Sequence, residues 1–398
     1  MDLPEELIDK ICAENPNAMR ADQGVILEED GMAFHIVGVH DPEDYEAVGK
    51  QGSWFLPFCS RTEVIRLLKP QTNEDALLKL RAEAMVDSPR LVRVFRKRRR
   101  GKANWSLTNY YESFGANDRY LSHLSKSNQK RLKQIPAGYA YLEQANAMCI
   151  RTNWGNVIAV SELLQYYFYF MNLFYFGGQL GIKEQDCFHA FLIALRVMGG
   201  FESHDFDLDP RGFLDWNAEC YLKSRGAMQY DFVLGHEYAH HVLGHLADSK
   251  ITHVRLNKYT QTKYTGYNHN HKKEYDADHY AIKFITGNNE YKSELVNEAF
   301  QVLLYFHLSK LVEESIAPQI HQGTHPSPLS RIKKLRKKIH KRYGRTMTEL
   351  NDEIRHFEGF VKHFLKDWLP YNMDKFEIYG SFYLPSYKRD FLIDRIDF

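Results

Sequence analysis

The sequence predicts an α+β, mostly helical protein. Several segments carry apolar residues at helical spacing, as do Phe232, Val233, Ala239, Val242, Leu243 and Leu246. Short β-branched runs interrupt them, among them "WGNVIAV". Hydrophobic residues make up 44% and charged residues 26% of 398, the composition of a globular chain rather than a disordered one. The length suits one large domain or two to three ordinary ones. The expected division is an N-terminal α/β module over residues 1–102, a central domain over 103–345 and a helical, aromatic C-terminal extension over 346–398.

In chain order, "AFHIVGVHD" reads as a strand. "TNEDALLKLRAEAMVD" reads as a helix capped by Thr72 or Asn73. "RLVRVFRKRRRGK", Arg90 to Lys102, packs eight Lys or Arg into 13 residues and reads as a solvated linker or helix face. "WGNVIAV" is a strand, and Ser161 caps the helix after it. "QDCFHAFLIALRVM" is an apolar helix ended by Gly199 and Gly200. "GFLDWNAECYLKSRG" is a further helix. The acidic "HDFDLDPRG" between them fails as a calcium loop: Pro210 replaces the required glycine and Trp216 the terminal glutamate.

Composition excludes several function classes. Lys+Arg is 52 and Asp+Glu 51, so net charge gives no reason to expect nucleic-acid or membrane binding. Five scattered cysteines with no C-x-x-C pair exclude a disulfide framework or a thiolate metal site. The start, "MDLPEELIDK", has no basic region followed by an apolar run, so no secretory signal is expected. The expected compartment is the cytoplasm. The uncharged stretch Leu163 to Ile182 is long enough to span a membrane. Its Gln165, Asn172, Gln179, four tyrosines and paired glycine make it a buried aromatic helix instead.

The chemistry lies in "VLGHEYAHHVLGHL", Val233 to Leu246. His236, Glu237 and His240 form H-E-x-x-H. On a helix, residues four apart share a face, so both imidazoles can grip one Zn2+. Glu237, beside the first ligand, is placed as general base. With 19 histidines in the chain, chance gives such a match in roughly 6% of shuffled sequences. A third ligand is therefore needed. His241 and His245 fall elsewhere on a continued helical wheel and are taken as bystanders. Leu243 and Leu246 occupy the positions where H-E-x-x-H-x-x-G-x-x-H needs Gly and His. The helix "KKEYDADHYAIKFITG" supplies Glu274 as third ligand, 34 residues after His240, with Gly287 as C-cap. Asp278, one turn later, is placed to accept the free N–H of a ligand histidine. Asp276 and His279 are nearby alternatives.

H-E-x-x-H followed by Glu274, Ala277 and Asp278 resembles the HtpX and CAAX-processing group of zinc peptidases, of gluzincin type. "THPSPLSRI", Thr324 to Ile332, resembles that group's His-Pro segment, and "GNVIAVSELLQ" the strand before its first active-site helix. The resemblance covers roughly residues 153–345. It implies a zincin-like catalytic fold and zinc-dependent hydrolysis of a protein or peptide substrate. It also implies that Val157, Ile158, Ala159 and Val160 form the sheet edge on which the substrate lies, and that His325 or Arg331 approaches the developing oxyanion. The flanking membrane helices usual in that group are not expected here. A looser resemblance is to phage-exclusion peptidases of the Lit type, which implies a role in defence.

"RIKKLRKKIHKRYGR", Arg331 to Arg345, reads as a basic amphipathic helix with Ile332, Leu335, Ile339 and Tyr343 on its packed face. "TELNDEIRHFEGFVKHFLKDWL" is another helix, and "KFEIYGSFYLPSYKRDF" is strand or coil that folds back on the core or regulates access. The alternative function is an inactive or structural zinc protein whose basic segments bind a partner or nucleic acid.

Overall fold

The computed structural model describes residues 3–21, 24–36, 38, 41–102, 104–142, 144–255, 263–317, 325–377 and 381–387. Helix α1 (Glu5–Glu14) and strands β1 (Ala18–Arg20), β2 (Val25–Glu29) and β3 (Met32–Ile36) come first. The strands form an antiparallel meander, and Val25 with Leu3 and Ile8 makes a small core of its own. Of the strand expected at "AFHIVGVHD", Val37, Val39 and His40 lie outside the described residues.

The main core runs from Val48 to Leu384 and is continuous across residues 102 and 345 among the described residues. It begins with α2 (Pro42–Ser53), α3 (Arg61–Leu68), α4 (Asn73–Val86) and α5 (Pro89–Arg99), followed by the short α6 (Leu107–Glu112), α7 (Ala116–Ser122) and α8 (Lys126–Leu132). Thr72 caps α4 in a reciprocal capping box with Asp75. The basic run on and just after α5 is exposed at Lys97, Arg100 and Lys102 and buried only at Arg98, with its other arginines half-buried. Arg98 is buried on Glu162 and Asp207, Lys97 donates to the Asp207 carbonyl and Arg99 to the Leu56 carbonyl.

Strands β4 (Ala137–Ala140), β5 (Ala147–Thr152) and β6 (Gly155–Ser161) join β7 (Lys250–Arg255) and β8 (Lys263–Asn268) in a sheet of order β4-β6-β5-β8-β7. This order corrects one expectation. Strand β6 pairs in parallel with β4 on one side and antiparallel with β5 on the other. Val157, Ile158, Ala159 and Val160 are fully buried and have no free edge on which a peptide could pair.

Helices α9 (Glu162–Phe176) and α10 (Glu184–Gly199) pack side by side, α9 starting from the Ser161 cap and α10 ending at Gly200, φ 76°. The aromatic stretch is thus a buried core helix, and among the described residues no helix is long and apolar enough to cross a membrane. Helix α11 (Trp216–Val242) fuses two segments that the sequence suggested as separate, through Gly226. Its 27 residues span about 40 Å. It packs on α9, on the sheet, on α12 (His271–Lys283) and on α13 (Asn289–Ile316). Helix α14 (Pro328–Lys338) crosses α12 and α13, and α15 (Met347–His363) closes the far side. Helix α14 stops before Ile339, which is extended, so the predicted helix to Arg345 is shorter; Ile332, Leu335, Ile339 and Tyr343 are nonetheless all buried. The tail folds back on the core: Tyr383 bonds Asp209, and Leu384 packs on Gly212. Of the stretch "KFEIYGSFYLPSYKRDF", residues 378–380 and 388–391 lie outside the described residues.

Candidate metal centre

Helix α11 brings His236, Glu237 and His240 to its inner, buried end. Gly235 allows the approach. A Cβ there would sit 2.6 Å from the Tyr120 ring, and the Tyr120 hydroxyl reaches across to the Ala281 carbonyl at 2.8 Å. The ring therefore wedges α11 against α12. Helix α12 starts from the Asn270 cap and turns Glu274 and Asp278, one turn apart, inward to 0% and 1% exposure.

His236, His240 and Glu274 each offer a ligand atom, and these atoms all lie within 4.8 Å of one another. The two Nε2 atoms are 3.1 Å apart. Each lies 3.5 Å from a Glu274 carboxylate oxygen. Glu274 Oε1 is buried and makes no hydrogen bond. Two imidazole nitrogens and a buried carboxylate oxygen without a hydrogen bond, turned to one point, favour a positive charge among them, whether a proton or a bound cation. The donor set, two nitrogens and one oxygen, is the kind that zinc takes. The residues present thus fit a bound cation. Asp276, the first alternative ligand, is instead paired with Lys338 at 2.7 Å, and neither it nor His279 belongs to the cluster.

The electrostatics point the same way. Burial would lower His236, but Asp278 and Glu274 raise its pKa to about 10. Burial and the neighbouring His236 carry His240 down to about 3, against Glu274. Burial would raise Glu274, yet its contacts with His236, His240 and His325 drive it far below the carboxylate range. The centre holds one positive charge readily and resists a second. Burial pushes Glu237 up, with His236 pulling it back and Glu274 adding to the rise.

His236 Nδ1 meets Asp278 Oδ1 at 2.9 Å. Asp278 is in turn held by Arg331, whose Nε donates to Oδ2 at 2.8 Å and Nη2 to Oδ1 at 2.6 Å. This corrects the expectation for Arg331. Its guanidinium is buried and forked onto the carboxylate that meets His236, so it is not free to reach an oxyanion. His325 Nδ1 donates to Glu274 Oε2 at 2.6 Å, while half of its side chain stays exposed. The His-Pro turn is arranged by Ser327, which caps α14, and by Pro328 in its first turn. Thr324 lies outside the described residues.

His245 is not a member of the cluster, but it does not continue the helical wheel either, because the helix ends at Val242. Gly244, φ 69°, turns the chain back, and His245 Nδ1 lies 3.0 Å from His240 Nδ1. Gly244 interrupts the apolar run near its end, where a glycine is a readable C-cap signal. His269 stacks on His240 with centroids 3.7 Å apart, a contact without a sequence signature. His241 leaves the centre, its Nε2 3.1 Å from Cys149 Sγ.

Residues 227–345 match the family described as Peptidase U49. No curated protein and no solved structure matches the chain. The matched span runs from the middle of α11 to the end of the α14 turn and contains every residue of the cluster. It supports a peptidase, acting on a protein or peptide substrate.

Proposed function

We propose that the chain is a zinc-dependent endopeptidase of gluzincin type, with His236, His240 and Glu274 as zinc ligands. The observation that carries this is the convergence of their three donor atoms within 4.8 Å, with Glu237 next in sequence to the first. When bound, zinc supplies Lewis-acid polarisation of a carbonyl and a water pKa lowered toward roughly 7.

The residues divide the remaining work. Glu237, its pKa raised by burial, takes the proton of the attacking water and delivers it to the leaving amine. Asp278 keeps the proton of His236 on Nδ1, so its Nε2 lone pair faces the centre. His325 steadies Glu274 through Nδ1 and turns its exposed edge toward the substrate, where it can donate to the oxyanion.

The peptide finds its edge on β5 rather than β6. Among the described residues, β8 pairs only with Ile150 and Arg151 of β5, leaving Ala147–Cys149 without a partner on that side. Burial, and then the Glu237 charge, push the Cys149 thiol up. All five cysteines are unpaired, which suits a reducing compartment such as the cytoplasm.

The test pairs elemental analysis with hydrolysis of a fluorogenic peptide library. About one zinc per chain is expected. Glu237→Gln should keep that zinc and lose activity by about 10²–10⁴-fold. A variant as active as wild type would remove Glu237 from the mechanism, and a chain that takes up no zinc would end the reading.

A further inference from the structure

We propose that His245 is the positioning residue for His240: it accepts the Nδ1–H of His240 on its own Nδ1 and so turns the His240 Nε2 lone pair into the metal centre. The inference rests on the metal-centre reading above and adds a role that the H-E-x-x-H motif does not contain.

The Nδ1 atoms are 3.0 Å apart, a hydrogen bond that carries one proton. The other face of His240 decides where that proton sits. Its Nε2 lies 3.1 Å from His236 Nε2 and 3.5 Å from Glu274 Oε1, so a ligand role requires a bare lone pair there. The proton is then on His240 Nδ1, and neutral His245 accepts it.

The backbone delivers His245 to this place. The Gly244 N–H bonds the His241 carbonyl at 3.2 Å, and the His245 N–H bonds the His240 carbonyl at 3.0 Å. These are the two bonds of a Schellman motif, with Gly244 as its left-handed residue. The turn that satisfies the His240 carbonyl thus folds His245 onto the His240 ring. Side chains then lock it. Ser249 Oγ donates to the His245 carbonyl at 2.6 Å and accepts from His269 Nδ1 at 2.6 Å and from Lys273 Nζ at 3.2 Å. Lys273 Nζ also reaches the His245 carbonyl, at 2.7 Å. His269, so anchored, lies flat against the His240 ring, interplanar angle 11°.

The experiment measures zinc affinity of the full chain by competition with a chromophoric chelator, and the visible spectrum of the Co2+ form. His245→Phe keeps a ring but has no acceptor. His245→Asn places an acceptor oxygen close to the lost Nδ1. We expect His245→Phe and His245→Ala to bind zinc about 10–100-fold more weakly, with an altered Co2+ spectrum. His245→Asn should stay within about threefold of wild type with the wild-type spectrum, an estimate that follows from its retained hydrogen bond. Melting in excess chelator confirms that each variant folds, and His245→Ala replaces the phenylalanine variant if that one does not. Wild-type affinity in both the Phe and Ala variants, or an Asn variant as weak as they are, overturns the proposal alone. A wild-type chain that binds neither ion overturns the metal-centre reading and this proposal with it.

Discussion

His236 and His240 lie one turn apart on α11, yet the nitrogen that each turns away from the centre meets a different chemistry. His236 leans on a buried ionic chain. Asp278 of α12 takes its Nδ1, and Arg331 of α14 forks onto the same carboxylate. His240 leans on a neutral imidazole from a partly exposed turn, backed by one serine and one lysine. The first arrangement ties three helices together through groups almost without access to water. The second ties a single turn to a helix end. A buried ion pair contributes little beyond an apolar substitute while whole, but is costly to break on one side. A turn hydrogen bond can be replaced by water at modest cost. The two sides of one site should therefore fail very differently.

The largest expected effect falls on the ionic side. Arg331→Ala leaves Asp278 buried without its guanidinium, with only His236 to face it, and should cost about 3–5 kcal/mol of stability, read by urea denaturation of the metal-free protein. Burial would raise Asp278, but Arg331 and then His236 outweigh it and bring the carboxyl down to about 2. That lies below its unfolded value of about 3.9. The stabilisation is therefore fully present above about pH 3.9 and fades as pH falls through 2. The gap between variant and wild type should close on the same path. A loss below about 1 kcal/mol at neutral pH would put the pair among those worth little and erase the contrast.

Asp278→Asn comes next. It keeps the shape and removes the charge behind His236, so zinc affinity should fall about 10–100-fold. The chelator competition used for His245 measures it on the same scale. If His245→Phe costs more than Asp278→Asn, the imidazole rather than the carboxylate is the stronger support, and the comparison inverts. The smallest effect belongs to Ser249→Ala. It removes one donor and two acceptor contacts at a part-exposed site, worth about 0.5–1.5 kcal/mol. Zinc affinity should fall less than about tenfold, in line with that free energy. A loss equal to that of Asp278→Asn would show that the turn is as rigid a support as the helices.

Much of this centre is legible in the chain because it is local. His236, Glu237 and His240 need only a helix, and the apolar spacing around them announces one. Glu274 and Asp278 need only a second helix with an i, i+4 face. The caps at Thr72 and Ser161 are likewise local, since a cap bonds a backbone N–H two or three residues away. What was misread depends on partners far along the chain. Strand β6 looks like a lone β-branched run, but whether it is an edge depends on β4 and β5 pairing with it. The basic run on α5 is a largely solvated face as its charge suggests, and only Arg98 departs from it, drawn inward by Glu162 and Asp207. His245 was placed by extending a helix past Val242, although Gly244 signals its end.

The sequence by itself determined which side chains could hold a metal and that two helices carry them, because side-chain chemistry and helical periodicity are properties of a few adjacent residues. The tertiary structure decided that the helices meet at the right height, through Tyr120 wedged against Gly235. It also decided that Arg331 is forked onto Asp278 and that the sheet keeps β6 inside. Those outcomes are set by contacts between segments tens to hundreds of residues apart, where burying apolar surface and pairing buried charge choose the partner.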